Sequence, residues 1–451
     1  MNSDNTSPRS RARTRNLGLL SLSALLTLLL SIGVDRLWGL AVFRPGSPET
    51  RRPIGLISLP NSKVSYVTEE FSFIATTNSL GFRDGELEVG RRRGLRIIAL
   101  GDSFTYGWGV GDSDSWPKAL ERNLRERRIE AEVANLGWPG LTPSDYVEVA
   151  EKAIPLLKPD LVILAVLQGE DFAQLWFETQ TFGERLEKLS PGRVPALLKS
   201  MLQRWIDSSV RCAYPNLLRY LEQSPALAEP DTVPEVSASW LEAARRVESD
   251  LAPAERRRFN RLGIEVRMHF RRGRLNPTLI SRAVKAPEYY RLTEECDTPR
   301  GLRVVEALAG RLARIRSLAE KHNARILVVP VPFGAYVNRP AWESIQTLGY
   351  RVDARMLSSE APDEAVRNAA LRARVAFASV TDGFRDNSRD PSLYFPMDTH
   401  FTASGHKLFA DLLTPLIMAR TSSSVSLVPP ENPGRTRPAA RGYVEGHEAL
   451  R

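Results

Sequence analysis

The sequence predicts an α/β fold: a doubly wound, flavodoxin-like parallel sheet with a mostly helical insertion and an N-terminal transmembrane helix. Three observations predict it. Short apolar strands alternate with helix-period segments from Arg96 to Leu167, and again from Leu302 to Arg420. Within that alternation, Leu161 to Leu167 is a continuous apolar run, as expected of a strand covered on both faces. Far upstream, Leu17 to Val34 is uncharged and leucine-rich.

The leucine-rich run comes first in the chain. As a helix it would be about 27 Å long, enough to cross a hydrocarbon core. Arg9, Arg11, Arg13 and Arg15 precede it and Asp35-Arg36 close it. Positive charge on the N-terminal side places that end in the cytoplasm and the bulk of the chain outside. No small-x-small cleavage site follows the run and no cysteine lies near it to carry a lipid. The expectation is therefore a basic tail over 1–15 and an uncleaved signal anchor over 16–36, with a cleaved signal peptide as the alternative. Residues 37–94 are polar, broken by Pro and Gly, with one aromatic run from Glu69 to Ile74; they read as a stalk and lead-in segment.

The α/β alternation, with the helical insertion, occupies 95–420. Its first strand is Arg96 to Leu100, followed by a helix over Trp116 to Arg127 and a second strand over Glu132 to Asn135. Thr142 is a fair N-cap for a helix that has Pro143 in its first turn and runs to Leu157, with Pro155 as a possible end or kink. From about 172 to 300 the pattern changes to helices and loops, including an apolar stripe at Leu198, Met201, Leu202, Trp205 and Ile206 that reads as a packed lid or core helix. The alternation resumes with a helix over Leu302 to His322 and a strand over Ala324 to Val329 that Pro330 stops. A strand around Val375 to Val380 and a last helix over Ala403 to Arg420 complete it. The segment 421–451, rich in Ser, Pro, Gly and Arg, reads as disordered.

Composition narrows the function classes. The 451 residues are 42% hydrophobic with a net charge of +9, but the arginines are scattered and no finger, helix-turn-helix or aromatic basic face accompanies them. Nucleic acid is not an expected partner. The two cysteines, Cys212 and Cys296, permit one disulfide or two separate thiols. No dinucleotide fingerprint or phosphate loop occurs, and His269, His322 and His447 are isolated, so no cofactor and no metal are expected.

The chemistry lies at two places far apart in the chain. The first strand runs into Gly101-Asp102-Ser103-Phe104-Thr105, which puts a hydroxyl at the carboxyl edge of the sheet and at the start of a helix. Almost three hundred residues later comes Asp398-Thr399-His400, just before the last helix. A hydroxyl, an imidazole that can take its proton and an acid that can orient the ring are the ingredients of nucleophilic acyl chemistry. Asn135-Leu136-Gly137-Trp138-Pro139-Gly140 follows the second strand, where glycine lets a bare N–H approach a developing oxyanion. Gln168-Gly169-Glu170-Asp171 follows the third strand at the same edge. His406, in the first turn of the last helix, reads as structural.

These blocks resemble the SGNH (GDSL-type) hydrolases. GDSFTYGWGV is similar to that family's first block, NLGWPG to its second, LQGED to its third and DTHFTASGH to its fifth, in the expected order over 95–171 and 301–419. Thr77 to Asp84 resembles the lead-in of bacterial, often membrane-anchored members. The resemblance implies Ser103 as nucleophile, His400 as base and Asp398 as acid, with the Ser103 and Gly140 amides as oxyanion donors. The Gly-x-Ser-x-Gly elbow of the α/β-hydrolases is absent. One departure stands out: the third-block asparagine, whose side-chain N–H would be the third oxyanion donor, is replaced by Glu170. Burial could keep Glu170 protonated and able to donate. A second departure is that the acid precedes the histidine by two residues, as in the polysaccharide O-acetyltransferase branch, with Asp382 as a stand-in acid.

The expected function is thus an outward-facing, membrane-anchored serine esterase or O-acyltransferase that works through an acyl-serine on small acyl, such as acetyl, esters of envelope or exported glycans. The alternative is a catalytically impaired glycan-binding or assembly protein that has kept the fold.

Overall fold

The computed structural model describes residues 23, 26–37, 58, 60–90, 94–180, 213–214 and 236–422. The stripe at 198–206, Cys212, most of the first half of the leucine-rich run and all but the first two residues of 421–451 lie outside them. Residues 26–37 are helical. Among the described residues no helix is long and apolar enough to cross a membrane.

Five parallel strands form the main sheet: β3 (Leu95–Gly101), β4 (Ala131–Gly137), β5 (Leu161–Leu167), β6 (Arg325–Val331) and β7 (Ala376–Phe377). Their spatial order is β4-β3-β5-β6-β7. This is the flavodoxin-like order, in which the chain starts near one edge and winds outward both ways, leaving a crevice at the carboxyl ends where the winding reverses. The reversal lies between β3 and β5, so the turns after β3, β4 and β5 share one rim of the sheet.

Both faces are covered, which explains the unbroken apolar strands. Along β3, Ile97 and Ala99 pack with Trp116, Leu120, Phe409 and Leu413, so one face lies under α2 (Trp116–Glu126) and the C-terminal helix Ala403–Ser422. Ile98 and Leu100 point the other way, onto α3 (Pro143–Leu157), the long helix Pro299–Lys321 and the helix Ala361–Ala373. Each such fully buried side chain contributes roughly 1.5–3 kcal/mol relative to leaving it in water.

Local sequence signals set most boundaries. Thr142 and Asp145 form a reciprocal capping box at the start of α3, and Pro143 occupies its first turn. Pro155 does not end that helix, which runs to Leu157 and stops on left-handed Lys158. Pro330 does not stop β6 either: it pairs with Val166, and β7 reaches only Leu327 and Val328 on the other side. Beyond that point the outer edge of β6 needs no N–H donor, so a proline is tolerated there.

Residues 60–90 are folded onto the domain. Strands β1 (Lys63–Val67) and β2 (Ser72–Thr76) form an antiparallel hairpin, and Leu80, Phe82 and Leu87 enter the core on the α3 side of the sheet. The described part of the insertion is helical: Val236–Ser249, Pro253–Arg261, Ile264–Arg271 and Pro277–Lys285. Cys296 is a buried free thiol, and burial raises its pKa to about 11.

Candidate active site

Ser103 opens a short helix, α1 (Ser103–Tyr106), directly after β3. Asp102 caps it by accepting from Phe104 N–H at 3.0 Å, and Gly107 ends it in a left-handed conformation. The turn is tight: a Cβ at Gly101 would lie 2.1 Å from Thr105 Oγ1, so no side chain fits there. Asn135 ties the neighbouring strand to the same helix, since its Nδ2 donates to the Tyr106 carbonyl at 3.2 Å.

The structure brings the two distant motifs together. His400 Nε2 lies 2.6 Å from Ser103 Oγ, and His400 Nδ1 lies 2.5 Å from Asp398 Oδ1. With Nδ1–H donating a hydrogen bond to the Asp398 carboxylate, the neutral ring presents its Nε2 lone pair to the hydroxyl. Asp398 also accepts from Trp108 Nε1 at 3.2 Å, which the sequence motifs did not single out. Phe104 packs against the imidazole at 4.7 Å between ring centroids. Asp382 has no part in this: it is exposed and pairs with Arg385. His406 is buried, accepts from Trp116 N–H at 3.3 Å and has its pKa lowered to about 3 by burial, so it is neutral and structural.

The electrostatics favour a base. Burial pulls the His400 pKa down, but the Asp398 charge and hydrogen bond, followed by Asp102 and Glu170, outweigh it and leave the pKa raised above the usual value. Asp102 is pushed up to about 7, first by burial and then by the Glu170 charge, against the pull of His400. Asp171, buried and held by Tyr146 and by Leu167 N–H, is raised well above the carboxylate range, chiefly by burial.

The two expected oxyanion donors, Ser103 and Gly140, lie in the turns that follow β3 and β4. Ser103 N–H is at the first position of α1, where no intrahelical acceptor exists. Gly140 sits in the turn after β4 with φ of 84°, a conformation that favours glycine. Neither donates to a backbone acceptor among the described residues.

Glu170 is held by an ion pair from the insertion. It begins α4 (Glu170–Glu178), and its Oε1 accepts from Arg282 Nη1 at 2.8 Å. Arg282 comes from the insertion helix Pro277–Lys285 and lies 4.3 Å over the Tyr289 ring. No motif or spacing links these two residues, which lie 112 positions apart. Arg282 also borders a cavity of about 360 Å³ lined by Phe177, Pro277, Ser281, Lys285 and Tyr289, among others. Gln168, from the same block, is structural: it is buried and donates to Asp363 at 2.7 Å and Thr381 at 3.0 Å. Among the described residues no group of three or more His, Cys, Asp or Glu is placed to hold a metal ion.

Comparison with known proteins follows the same residues. Residues 99–252 match the GDSL-like lipase/acylhydrolase family, a span that includes Ser103, Gly140 and Glu170 and ends before Asp398 and His400. Solved structures with similarity include a lipase/acylhydrolase from Enterococcus faecalis, at 11% identity over 72% of this chain and 96% of that one, TM-score 0.31. The psychrotrophic esterase EstA from Pseudoalteromonas is 9% identical over 73% of this chain and 99% of that one, TM-score 0.32. An acetyl xylan esterase, AlAXEase, is 10% identical over 72% of this chain and all of that one, TM-score 0.33. No curated protein matches in sequence. The family match, which takes in the end of β3, the serine turn and the blocks after β4 and β5, makes residues 99–252 of the chain similar to the GDSL-like lipase/acylhydrolase family.

Proposed function

We propose that this protein is a serine ester hydrolase or acyltransferase that forms an acyl-Ser103 intermediate. One observation carries the reading: a single imidazole is hydrogen-bonded to Asp398 on one side and to Ser103 on the other, at 2.5 and 2.6 Å. His400 takes the Ser103 proton as Oγ attacks the ester carbonyl, and Asp398 stabilises the imidazolium. The carbonyl oxygen gains charge facing the N–H groups of Ser103 and Gly140. His400 then returns the proton to the departing alcohol. Water or a sugar hydroxyl, deprotonated by the same ring, releases the acyl group from Ser103. Which of the two enters decides between hydrolysis and transfer.

We place the enzyme on a membrane and facing outward, acting on small acyl esters of envelope or exported glycans. Support for the anchor comes from the arginines before residue 16 and from the helix over 26–37, where Leu26, Leu28, Leu29, Leu30, Val34 and Leu37 are all exposed. So many bare apolar side chains need a nonpolar neighbour. The glycan substrate rests on the resemblance of the lead-in and of the Asp-x-His spacing to those branches of the family. A second reading, a non-catalytic glycan-binding protein, is favoured by Glu170 standing where a donor is needed.

Treating the full-length protein with a serine-directed fluorophosphonate separates the two readings. Labelling should occur on Ser103 and vanish in Ser103→Ala, with acetyl-ester turnover falling by about a thousand-fold or more. Absence of Ser103 labelling across the pH range would support the non-catalytic reading. The anchor is checked by fractionation: protein with residues 1–36 intact should stay with membranes, and its recovery in the soluble fraction would refute the anchor.

A further inference from the structure

The two-residue spacing of Asp398 and His400 has a structural cost. Thr399, between them, has φ of 73°, in the left-handed region that β-branched residues avoid. Such a conformation is strained for a β-branched residue and persists only where its surroundings over-determine it. Two backbone bonds close the loop on itself, Thr399 N–H to Phe395 O at 2.8 Å and Phe395 N–H to His400 O at 2.9 Å.

The third hold comes from outside the loop. Glu70, in the turn between β1 and β2, accepts from Met397 N–H with both carboxylate oxygens at 2.9 Å, and from Asp398 N–H at 2.7 Å. The turn is itself braced: Thr68 Oγ1 accepts from the N–H groups of Glu70 and Phe71 at 3.2 and 3.1 Å. The hairpin is then fixed to the site by ring contacts. Tyr66 packs against Trp108 at 4.7 Å, and Phe71 against Phe395 at 4.9 Å. Trp108 is the side chain that donates to Asp398. Burial raises the Glu70 carboxyl to about 7, partly offset by the Met397 amide.

We propose that Glu70 is a positioning residue: its carboxylate grips the Met397 and Asp398 amides, holds the strained Asp398–Thr399–His400 loop in place and so aims the imidazole at Ser103. It touches neither the substrate nor the reacting atoms. The inference rests on Ser103, His400 and Asp398 being the reacting set. It gives the lead-in hairpin a task in the reaction, which the sequence motifs did not assign to it.

The test uses the full-length protein in detergent with p-nitrophenyl acetate and a fluorophosphonate probe. Glu70→Ala should lower kcat by about a hundred-fold, the scale of a misplacement near 1 Å, with KM changed by less than about two-fold. Glu70→Gln should recover most of that loss, since one side-chain oxygen can still accept from Asp398 N–H. Glu70→Asp keeps the charge but withdraws it by one methylene, and should lose kcat although the charge is retained; it also covers the case in which the alanine variant does not fold. Wild-type kcat in Glu70→Asp or Glu70→Ala, or a loss in KM alone, overturns the inference. A readout independent of turnover is the low-field proton resonance of the Asp398–His400 hydrogen bond. It should be present in the wild type and lost or broadened in Glu70→Ala. If it persists unchanged there, the positioning role is wrong, whatever the activity. If the resonance behaves as expected but Ser103 is never labelled, the positioning role stands and the catalytic reading fails.

Discussion

The two sides of the Ser103 site are built on opposite principles. On one side stands the segment 60–90, which works through backbone. Arg83 donates to the carbonyls of Tyr106, Gly107 and Val110 in the loop that follows the serine helix, and pairs with Asp112 at 2.5 Å. Asp84 accepts from Asn135 N–H at 2.8 Å and pairs with Lys118 at 2.6 Å. Glu70 grips the acid–histidine loop. Apart from the Asp112 and Lys118 side chains, these partners are backbone amides and carbonyls, which lose no side-chain freedom on pairing, so the hold is rigid. The opposite side, towards the insertion, is a side-chain affair: Glu170 and Arg282, each about one-fifth exposed, meet across two elements. Long side chains lose more freedom on pairing, and partial exposure screens their attraction. The difference teaches where each half of the chemistry is specified. Alignment of serine, imidazole and acid is over-determined, whereas the charge next to the oxyanion space depends on one ion pair.

The sharpest way to break this contrast is Glu170→Asn. The change removes a carboxylate from beside the place where negative charge develops and supplies an amide N–H. One oxyanion donor is worth on the order of a hundred-fold in rate. We expect kcat to rise towards that limit, with Ser103 labelling by fluorophosphonate accelerated in parallel. A fall in kcat would mean that the hold of Glu170 on Arg282 matters more to the reaction than the missing donor, and would make the insertion side as decisive as the hairpin side.

How much of this was legible in the sequence follows the same division. The strands read over 96–100, 132–135 and 161–167 lie within the observed 95–101, 131–137 and 161–167, and the first and third are legible because burial on both faces writes itself as an apolar run. Ser103, Asp398 and His400 were readable because each is the polar residue at the end of such a run or before a capped helix. Pro330 reads as a strand stop because proline cannot donate to a ladder, but β7 ends at Phe377 and leaves that edge of β6 unpaired. Glu70, Trp108 and Arg282 were out of reach for a different reason. Each acts by meeting a residue that the topology brings from far along the chain, 112 positions for Glu170–Arg282 and 327 for Glu70–Met397. No periodicity encodes such a meeting. For Glu70 one clue existed, a charged residue entering an aromatic run from Glu69 to Ile74 in a segment otherwise read as a stalk.

A smaller effect tests whether the ion pair is electrostatically active or only a surface contact. Glu170 contributes to raising the His400 pKa. Activity needs the neutral ring, so the acid limb of kcat/KM follows that pKa: the rate rises as pH rises through it. Removing the Glu170 charge leaves the imidazolium less stabilised, and the limb in Glu170→Asn should move to lower pH. Arg282→Met does the reverse. It keeps the apolar stem over Tyr289 but strips the cation that offsets Glu170, so the carboxylate acts on His400 uncompensated and the limb should move to higher pH. The same variant leaves a partly buried carboxylate without its partner, at a cost of about 1–3 kcal/mol, visible as a lower melting temperature. Opposite displacements of the acid limb in the two variants would establish that the insertion sets the working pH of the site, while the hairpin sets its geometry. Displacements in the same direction, or none, would reduce the Glu170–Arg282 pair to packing and leave the hairpin as the only side that governs His400.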